Sequence, residues 1–431
     1  MKYCSLGNRS KHVTFREALL KGIAEDGTLF IPESIPRLDN EKLESFTGLS
    51  FSEIAGIILE KFLDDDFNHR EIELLVKEAF NFDCKLVNIQ PDVWALELFH
   101  GPTLAFKDFG ARLLAQVLGR LTDSHYRNIT ILVATSGDTG SAVAHAFYSI
   151  SGIQVVILYP SGKVSVLQEK QMASLGGNIH ALRIDGNFDD CQRLVKEAFS
   201  DPELREELFL TSANSINVAR WIAQTVYYAY AWSRLPERKQ VIFSVPSGNF
   251  GNLSAGVLAK KMGIPVSAFA ASTNVNDVVP AYLRSRVYLP RPSQSTISNA
   301  MDVGNPNNFP RLLHLYENDW NKISGEVKGF SFSDEATRQA IKTLYSDYGY
   351  LADPHSAIGW LGLRQLLYHN PGSTGVFLAT AHPAKFTEVV EPVIGSSIPL
   401  PYQLEILKSK PVVSKLLSPH YNELKAFLLA C

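Results

Sequence analysis

Apolar runs and amphipathic stretches alternate through most of the chain. Residues 129–134 form an apolar, β-branched run, followed by the small-residue turn TSGDTG, an alanine-rich helical stretch at 141–148 and a second apolar run at 153–158. The same order recurs from NIHALRID to LFLTSA and from QVIFSVP to PVSAFAAS. Because strands this uniformly apolar are buried on two faces, the pattern predicts an α/β fold with mostly parallel sheets and helices on both faces.

The two ends of the chain depart from this pattern. Within residues 1–90, the segments SFSEIAGIILEKFL and REIELLVKEAF have the spacing of amphipathic helices, and no clear strand is visible. From about residue 394, prolines and leucine-rich pieces indicate a small helical tail. We therefore expect a helical N-terminal domain at 1–90 and a main region at 91–431.

Composition and charge narrow the classes of function. The 431 residues are 45% hydrophobic and 20% charged, with a formal net charge of −3, which is typical of a soluble multidomain protein and favours neither nucleic acid nor an anionic membrane. The first residues lack the apolar stretch of a signal peptide. No CxxC pair, HExxH or paired-histidine spacing suggests a metal. We expect a cytoplasmic protein, with its scattered cysteines reduced; they are Cys4, Cys84, Cys191 and Cys431.

One lysine stands where a strand pattern meets a helix pattern. The stretch VWALELF leads into HGPTLAFKDFG, and helical apolar spacing follows over 113–118, so Lys107 lies near the start of a helix. The positive end of the helix dipole disfavours an ammonium there, and the amine is easier to deprotonate, as a Schiff-base lysine requires. A solvated first-turn lysine is the alternative, but the flanking Phe106 and Phe109 favour an enclosed position.

A glycine-rich turn follows a later strand pattern. In SVPSGNFGN, an apolar strand at 241–245 ends in a turn with Gly248, Asn249 and Gly251, and a helix begins at about Leu253. Glycines let backbone N–H groups approach an anion at a helix start, which favours a phosphate site, although a structural turn uses the same residues. The spacing is neither GxGxxG nor GxxxxGK[ST], which counts against a dinucleotide fold and a P-loop.

Three further polar segments are candidate ligand contacts. ATSGDTGSA offers hydroxyls for a carboxylate, with helix capping as the alternative. SANSINVAR suits an anionic group but could equally be a capped helix start. LATAHPAKF ends a strand, where α/β proteins bind ligands, although its His382 could be structural. The residues singled out are Thr135, Ser136 and Thr139 in the first, Ser212, Asn214, Ser215, Asn217 and Arg220 in the second, and Thr380 and His382 in the third.

Taken together, these segments resemble the fold type II family of pyridoxal-phosphate (PLP) enzymes, most closely the threonine synthases. The resemblance covers nearly the whole chain, and the segments that carry it, in order, are TFREALLKGIAEDGTLFIPESIP, HGPTLAFKDFG, ATSGDTGSAVAHAF, LQEKQMASLGGN, SANSIN, SVPSGNFGN, NAMDVGNPNN, DPHSAIG and TAHPAKF. It implies two open, parallel-type α/β subdomains besides the N-terminal domain. The smaller subdomain would lie within about 100–220, and the larger one would take the remainder with the C-terminal tail.

The resemblance also implies roles for individual residues. Lys107 would carry PLP as a Schiff base and act as the catalytic base, and Thr380 would face the pyridine nitrogen. The cofactor phosphate would be held by Gly248, Asn249, Phe250 and Gly251. The substrate carboxylate would be held by Ser136, Thr139 and their neighbour Thr135. The candidates for the substrate phosphate are Lys163, Asn214, Asn217 and Arg220.

The implied reaction converts O-phospho-L-homoserine and water to L-threonine and phosphate, by γ-elimination and β-addition, as the last step of threonine biosynthesis. A serine or threonine dehydratase or a β-replacement synthase of the same fold is the nearest alternative, and a non-catalytic binding protein on an α/β scaffold is a more distant one. Related dehydratases have Asn where this chain has Asp138. An aspartate beside the cofactor phenolate would repel it unless protonated, so Asp138 receives no role. Either a monomer or a homodimer is compatible with the sequence.

Overall fold

The computed structural model describes residues 1–122, 129–238 and 240–430. The strands there are β1 Tyr3–Ser5, β2 His12–Val13, β3 Phe30–Pro32, β4 Lys85–Gln90, β5 Val93–Glu97, β6 Ile129–Ala134, β7 Ile153–Pro160, β8 Ile179–Ile184, β9 Phe209–Thr211, β10 Ile242–Pro246, β11 Ala268–Thr273, β12 Val327–Ser331, β13 Gly375–Ala379 and β14 Ser414–Leu417.

The α-helices of the same residues surround these strands. They are α1 Phe15–Lys21, α2 Asn40–Ser45, α3 Phe51–Leu63, α4 His69–Ala79, α5 Lys107–Thr122, α6 Asp138–Phe147, α7 Val166–Ala173, α8 Phe188–Ser200, α9 Pro202–Glu207, α10 Val218–Ala223, α11 Thr225–Arg234, α12 Gly251–Met262, α13 Val278–Ser285, α14 Phe309–Leu315, α15 Trp320–Glu326, α16 Asp334–Tyr348, α17 Pro354–Tyr368, α18 Thr387–Ile394, α19 Tyr402–Glu405 and α20 Tyr421–Leu429. Two 3-10 helices are Asn299–Met301 and Pro383–Lys385.

The N-terminal region combines helices with a small antiparallel sheet of order β2-β1-β3. Helices α3 and α4 fall on the two predicted amphipathic segments, and capping boxes at Ser50 and Asn68 start them. The expectation of a region without strands was wrong. The three strands have only two or three residues each, so they are too short to produce an alternating pattern in the sequence.

Two parallel-type sheets form the body of the protein, as the alternating pattern predicted. The smaller sheet has the order β14-β8-β7-β6-β9, with every pairing parallel. The larger has the order β12-β11-β10-β13-β5-β4, and only its edge pair β4 and β5 is antiparallel. Every side chain of β6, β10 and β13 is buried, because helices cover both faces of each sheet.

The C-terminal tail completes the smaller sheet. Strand β14 pairs in parallel with β8, and α20 packs against α8. The prediction of a purely helical tail was therefore wrong. The strand lies at the sheet edge, and only Leu417 of its four residues is buried, so it lacks the continuous apolar run of an inner strand.

Candidate active site

A cleft opens at the carboxyl ends of strands from both parallel sheets. Ala134 at the end of β6 and Pro246 at the end of β10 line it, as does the start of α5. Its empty volume, including the part open to solvent, is about 1070 Å³. The carboxyl ends of parallel strands are the usual ligand site of open α/β sheets, which makes this cleft the candidate active site.

Lys107 is the first residue of α5 and lines the cleft. The residues before it are tied to those after β13, since the Phe106 N–H donates to the Thr380 carbonyl at 2.9 Å and Ala105 forms an antiparallel bridge with Ala381. Thr380 lines the same cleft. The backbone therefore brings together two residues that are far apart in the sequence and that were both predicted to contact the cofactor.

The surroundings of the Lys107 amine lower its pKa, so that more of it is neutral at a given pH than for an exposed lysine. Burial is the main cause, and the neighbouring cations of Arg220 and Lys385 act in the same direction, while Asp138 opposes them; together they lower the pKa of Lys107 from 10.5 to about 8. At pH 7 about a tenth of such amines are unprotonated, against fewer than about one in a thousand for an ordinary lysine. Lys107 can therefore act as a nucleophile and base near neutral pH.

The glycine turn forms the start of α12. Phe250 adopts the left-handed conformation, with φ of 59°, immediately before the helix begins at Gly251. Gly248 packs so closely against the 3-10 helix Asn299–Met301 that a Cβ atom there would lie 2.8 Å from the Ala300 carbonyl oxygen. The N–H groups at this helix start lack intrahelical acceptors, so the turn can bind an anion that approaches its backbone.

The TSGDTG turn contributes a second wall. The Thr135 hydroxyl accepts hydrogen bonds from the N–H groups of Gly137 and Gly140, at 3.0 and 2.9 Å, and so stabilises the start of α6. Ser136 and Thr139 line the cleft with partly exposed side chains. The Thr135 hydroxyl is thus engaged with the backbone of its own turn, while the other two hydroxyls face the cleft.

Arg220 is a buried cation in the cleft wall. Its Nη1 donates to the Ala213 carbonyl at 2.6 Å, its Nε has no hydrogen-bond partner, and no carboxylate in the described part of the chain forms an ion pair with it. Burial lowers the pKa of Arg220 to about 10, although Asp108 opposes the shift. Oδ1 of the neighbouring Asn214 is also buried without a partner. An unpaired, desolvated guanidinium is a suitable site for an anionic ligand.

Two predicted contacts lie outside the cleft. Lys163 is exposed in the turn after β7. Asn217 caps α10 through Oδ1, while its Nδ2 donates to the carbonyls of Leu19 and Ser212 at 3.0 and 3.1 Å. All its side-chain polar atoms are engaged in the fold, so the capping alternative holds for Asn217.

His382 is structural as well, because its Nδ1 accepts from the N–H of Ala384 and caps a 3-10 helix.

The structure also pairs Asp138 with a lysine to which the sequence analysis gave no role. The Lys385 Nζ lies 2.7 Å from Asp138 Oδ1 and donates to the Thr103 carbonyl at 2.9 Å, while Gln168 Nε2 donates to Asp138 at 3.0 Å. Burial alone would raise the pKa of Asp138, but the cations of Lys385 and Lys107 and these hydrogen bonds outweigh burial and hold the pKa below its ordinary value. Asp138 is therefore ionised and neutralised by its partner, and protonation is not needed to place it beside an anionic group.

The start of α17 holds Thr380 in place and was also missed. The Thr380 N–H donates to Ser356 Oγ at 3.2 Å, and the Ser356 hydroxyl donates to Asp353. Asp353 also lies 2.5 Å from His355 Nδ1, while His355 Nε2 accepts the N–H of Ala300. The DPHSAIG segment gave little indication of this, because Asp before Pro at a helix start is common without any ligand.

The described residues contain no candidate metal cluster, no membrane-spanning helix and no disulfide among their cysteines. No group of three or more His, Cys, Asp or Glu side chains among residues 1–122, 129–238 and 240–430 could hold a metal ion. No helix described there has both the length and the apolar character to span a membrane. Cys4, Cys84 and Cys191 are buried with free thiols, and Cys431 lies outside the described residues.

Comparisons with known proteins agree on one family. The model of a family described as pyridoxal-phosphate dependent enzyme matches residues 81–381, and those described as threonine synthase N terminus and threonine synthase, C-terminal match residues 2–80 and 356–428. A threonine synthase of Haemophilus influenzae is 46% identical over 432 residues, covering 100% of both chains.

Solved structures agree with the sequence comparisons. The crystal structure of threonine synthase from Escherichia coli superposes with a TM-score of 0.94, at 45% identity and with 100% of both chains covered. A PLP-bound threonine synthase from Brucella melitensis superposes with a TM-score of 0.94, at 36% identity, covering 100% of this chain and 99% of that one.

The cleft has the chemical groups that PLP requires. It contains an amine with a lowered pKa at Lys107 and a helix start whose close packing at Gly248 leaves no room for a side chain. The partly exposed hydroxyls at 136 and 139 and the guanidinium of Arg220 line the same cleft as further hydrogen-bond donors.

Proposed function

The chain belongs to the threonine synthase family of PLP-dependent enzymes, and from this membership we propose that it converts O-phospho-L-homoserine and water to L-threonine and phosphate. In this reaction the Cγ–O bond breaks and phosphate leaves with the bonding electrons. Cβ loses a proton and gains the hydroxyl of water, and Cγ takes up a proton. The α-proton is removed and returned, and the second proton of water goes to the phosphate, so that atoms and charge balance.

The observation that supports this proposal is a single cleft that contains an amine with a lowered pKa and two groups suited to an anion. The glycine turn at the start of α12 would provide one anion site, and Arg220, which has no ion-pair partner among the described residues, would provide the other with Asn214. The cofactor requires only one phosphate site. A substrate that carries its own phosphate accounts for the second, whereas serine or threonine does not.

We assign the cofactor contacts to residues on the cleft wall. Lys107 would hold the aldehyde carbon covalently, the backbone N–H groups of 248–251 would hold the phosphate, and Thr380 would face the pyridine nitrogen. The neutral hydroxyl of Thr380 does not force that nitrogen to be protonated. When bound, PLP supplies an electron sink for the bond that breaks at Cα.

We assign proton transfer and substrate binding to the other walls. Lys107 Nζ would take the α-proton and later return it, which its lowered pKa favours at neutral pH. Ser136 and Thr139 would donate to the substrate carboxylate. Arg220 would bind the substrate phosphate as a charge-assisted donor with Asn214 beside it. The exposed Lys163 and the fully engaged Asn217 have no part in this assignment.

Product analysis on the purified holoenzyme tests the reaction and separates it from the nearest alternatives. With O-phospho-L-homoserine we expect inorganic phosphate and L-threonine in equal amounts, and with L-serine little pyruvate. Faster turnover of serine than of phosphohomoserine would support a dehydratase, and product formation only with an added thiol nucleophile would support a β-replacement synthase.

We also propose a cytoplasmic location, which the free thiols of the described cysteines fit.

A further inference from the structure

A buried ion pair beside the Lys107 amine has no part in the proposed reaction. Lys385 belongs to the 3-10 helix that follows β13 of the larger sheet, and Asp138 begins α6, which follows β6 of the smaller sheet. The Lys385 side chain is 0% exposed and that of Asp138 is 4% exposed. The pair therefore joins elements that follow strands of the two sheets, and both of its charges are removed from water.

The two charges of this pair are matched, and hydrogen bonds with neighbouring groups support both side chains. Lys385 Nζ lies 2.7 Å from Asp138 Oδ1 and also donates to the Thr103 carbonyl. Asp138 further accepts from Gln168. Because breaking one side of a buried ion pair leaves an uncompensated charge, the two residues depend on each other.

Asp138 has a second cation within electrostatic range, the amine of Lys107. Without Lys385, the buried carboxylate could be neutralised only by the protonated form of this amine or by a proton of its own. An amine held in such an ion pair is protonated, and a protonated amine cannot attack a carbonyl carbon. Lys107 is therefore reactive while Asp138 is paired with Lys385, and unreactive when Asp138 is paired with Lys107 itself.

We propose that Lys385 is a positioning residue that neutralises Asp138 and thereby keeps the Lys107 amine unpaired and available for the cofactor. This inference rests on the proposed role of Lys107. It also explains how the SGDTG turn can contain Asp138 without an uncompensated charge, because Lys385 of the TAHPAKF segment neutralises it. The other charged groups that act on this set are Asp108 and Arg220, with Arg112, His145 and His382 farther out.

Three variants test the inference, namely Lys385→Met, Asp138→Asn and the double variant. The measurement is the pH dependence of covalent PLP attachment to Lys107 in the apoprotein, with the adduct reduced and quantified on the Lys107 peptide. We expect Lys385→Met to slow attachment at pH 7 at least about tenfold and to move the pH midpoint upward. Asp138→Asn should move the midpoint downward, because the amine then faces only cations, and the double variant should return it to that of the unmodified protein.

Opposite shifts with restoration in the double variant separate this role from a purely structural one. Lys342→Met, on the exposed face of α16, is the matched control and should leave the midpoint unchanged. If Lys385→Met fails to fold, comparison of Asp138→Asn with the double variant still decides the question, and the double variant leaves neither charge of the pair uncompensated. A midpoint that is the same in Asp138→Asn and in the double variant would overturn the inference. Absence of any label on Lys107 in the unmodified protein would instead refute the proposed function.

Discussion

Replacing Gly248 by alanine tests whether the glycine turn holds the cofactor phosphate. A Cβ at this position would lie 2.8 Å from the Ala300 carbonyl oxygen and 2.9 Å from Met301 Cα, where ordinary contacts begin at 3.4 Å. Both neighbours are backbone atoms and cannot rotate away, so the turn must move by about 0.5 Å. A hydrogen bond near its optimal length weakens over such a displacement, and one to a charged group contributes about 1.5–3 kcal/mol.

We therefore expect Gly248→Ala to raise the Kd of the apoprotein for PLP at least about tenfold, equivalent to about 1.4 kcal/mol. The Kd is measured by titrating apoprotein with PLP and following the absorbance of the lysine adduct. The matched control is Gly325→Ala in α15, where the added Cβ meets nothing within 4 Å and where alanine favours the helix. A Kd for Gly248→Ala within twofold of that of Gly325→Ala would refute the assignment.

Three further predictions concern substrate binding by Arg220, the pH dependence of Lys107 reactivity and the contribution of Arg311 to stability. Arg220→Gln should raise the KM for O-phospho-L-homoserine at least about tenfold in steady-state assays with little change in the Kd for PLP, because it removes one charge-assisted donor; an unchanged KM would contradict the assignment. The rate of PLP attachment to the apoprotein should rise about tenfold per pH unit below pH 8 and level off above it, since only the unprotonated Lys107 reacts and its pKa is about 8; a rise that continues past pH 10 would indicate an ordinary amine. Arg311→Met should lower the free energy of unfolding in urea by about 2–4 kcal/mol, because it removes the buried guanidinium that donates to the carbonyls of Phe30 and Ile216; a loss below about 1 kcal/mol would contradict this.

The inner strands and long helices could be predicted because burial leaves a strong pattern in the sequence. The apolar run 129–134 coincides with β6, and the two amphipathic N-terminal segments coincide with α3 and α4. Edge elements leave a weaker pattern. Strand β14 exposes most of its side chains and β1 to β3 are very short, so neither could be recognised by periodicity.

In the candidate site, too, some features could be predicted from the local sequence and others could not. The positions of Lys107 and the glycine turn in the cleft could be predicted because each lies where a strand pattern gives way to a helix pattern. The role of Asn217 could not be predicted from the sequence, because an asparagine in a polar stretch can either cap a helix or bind an anion. The structure distinguishes the two, since the Asn217 amide donates to the carbonyls of Leu19 and Ser212. The pair of Lys385 and Asp138 depends on two sheets meeting, which no local pattern records.

Lys107 in the cleft wall and the buried Lys385 both act on Asp138, and the central claim is that Lys107 carries the cofactor while Lys385 does not. Reduction of the holoenzyme with borohydride, followed by proteolysis and mass spectrometry, identifies the modified lysine directly. If Lys107 carries the cofactor, one phosphopyridoxyl group per chain is expected, on the peptide that contains Lys107. A label on Lys385, on any other lysine or on none would contradict it.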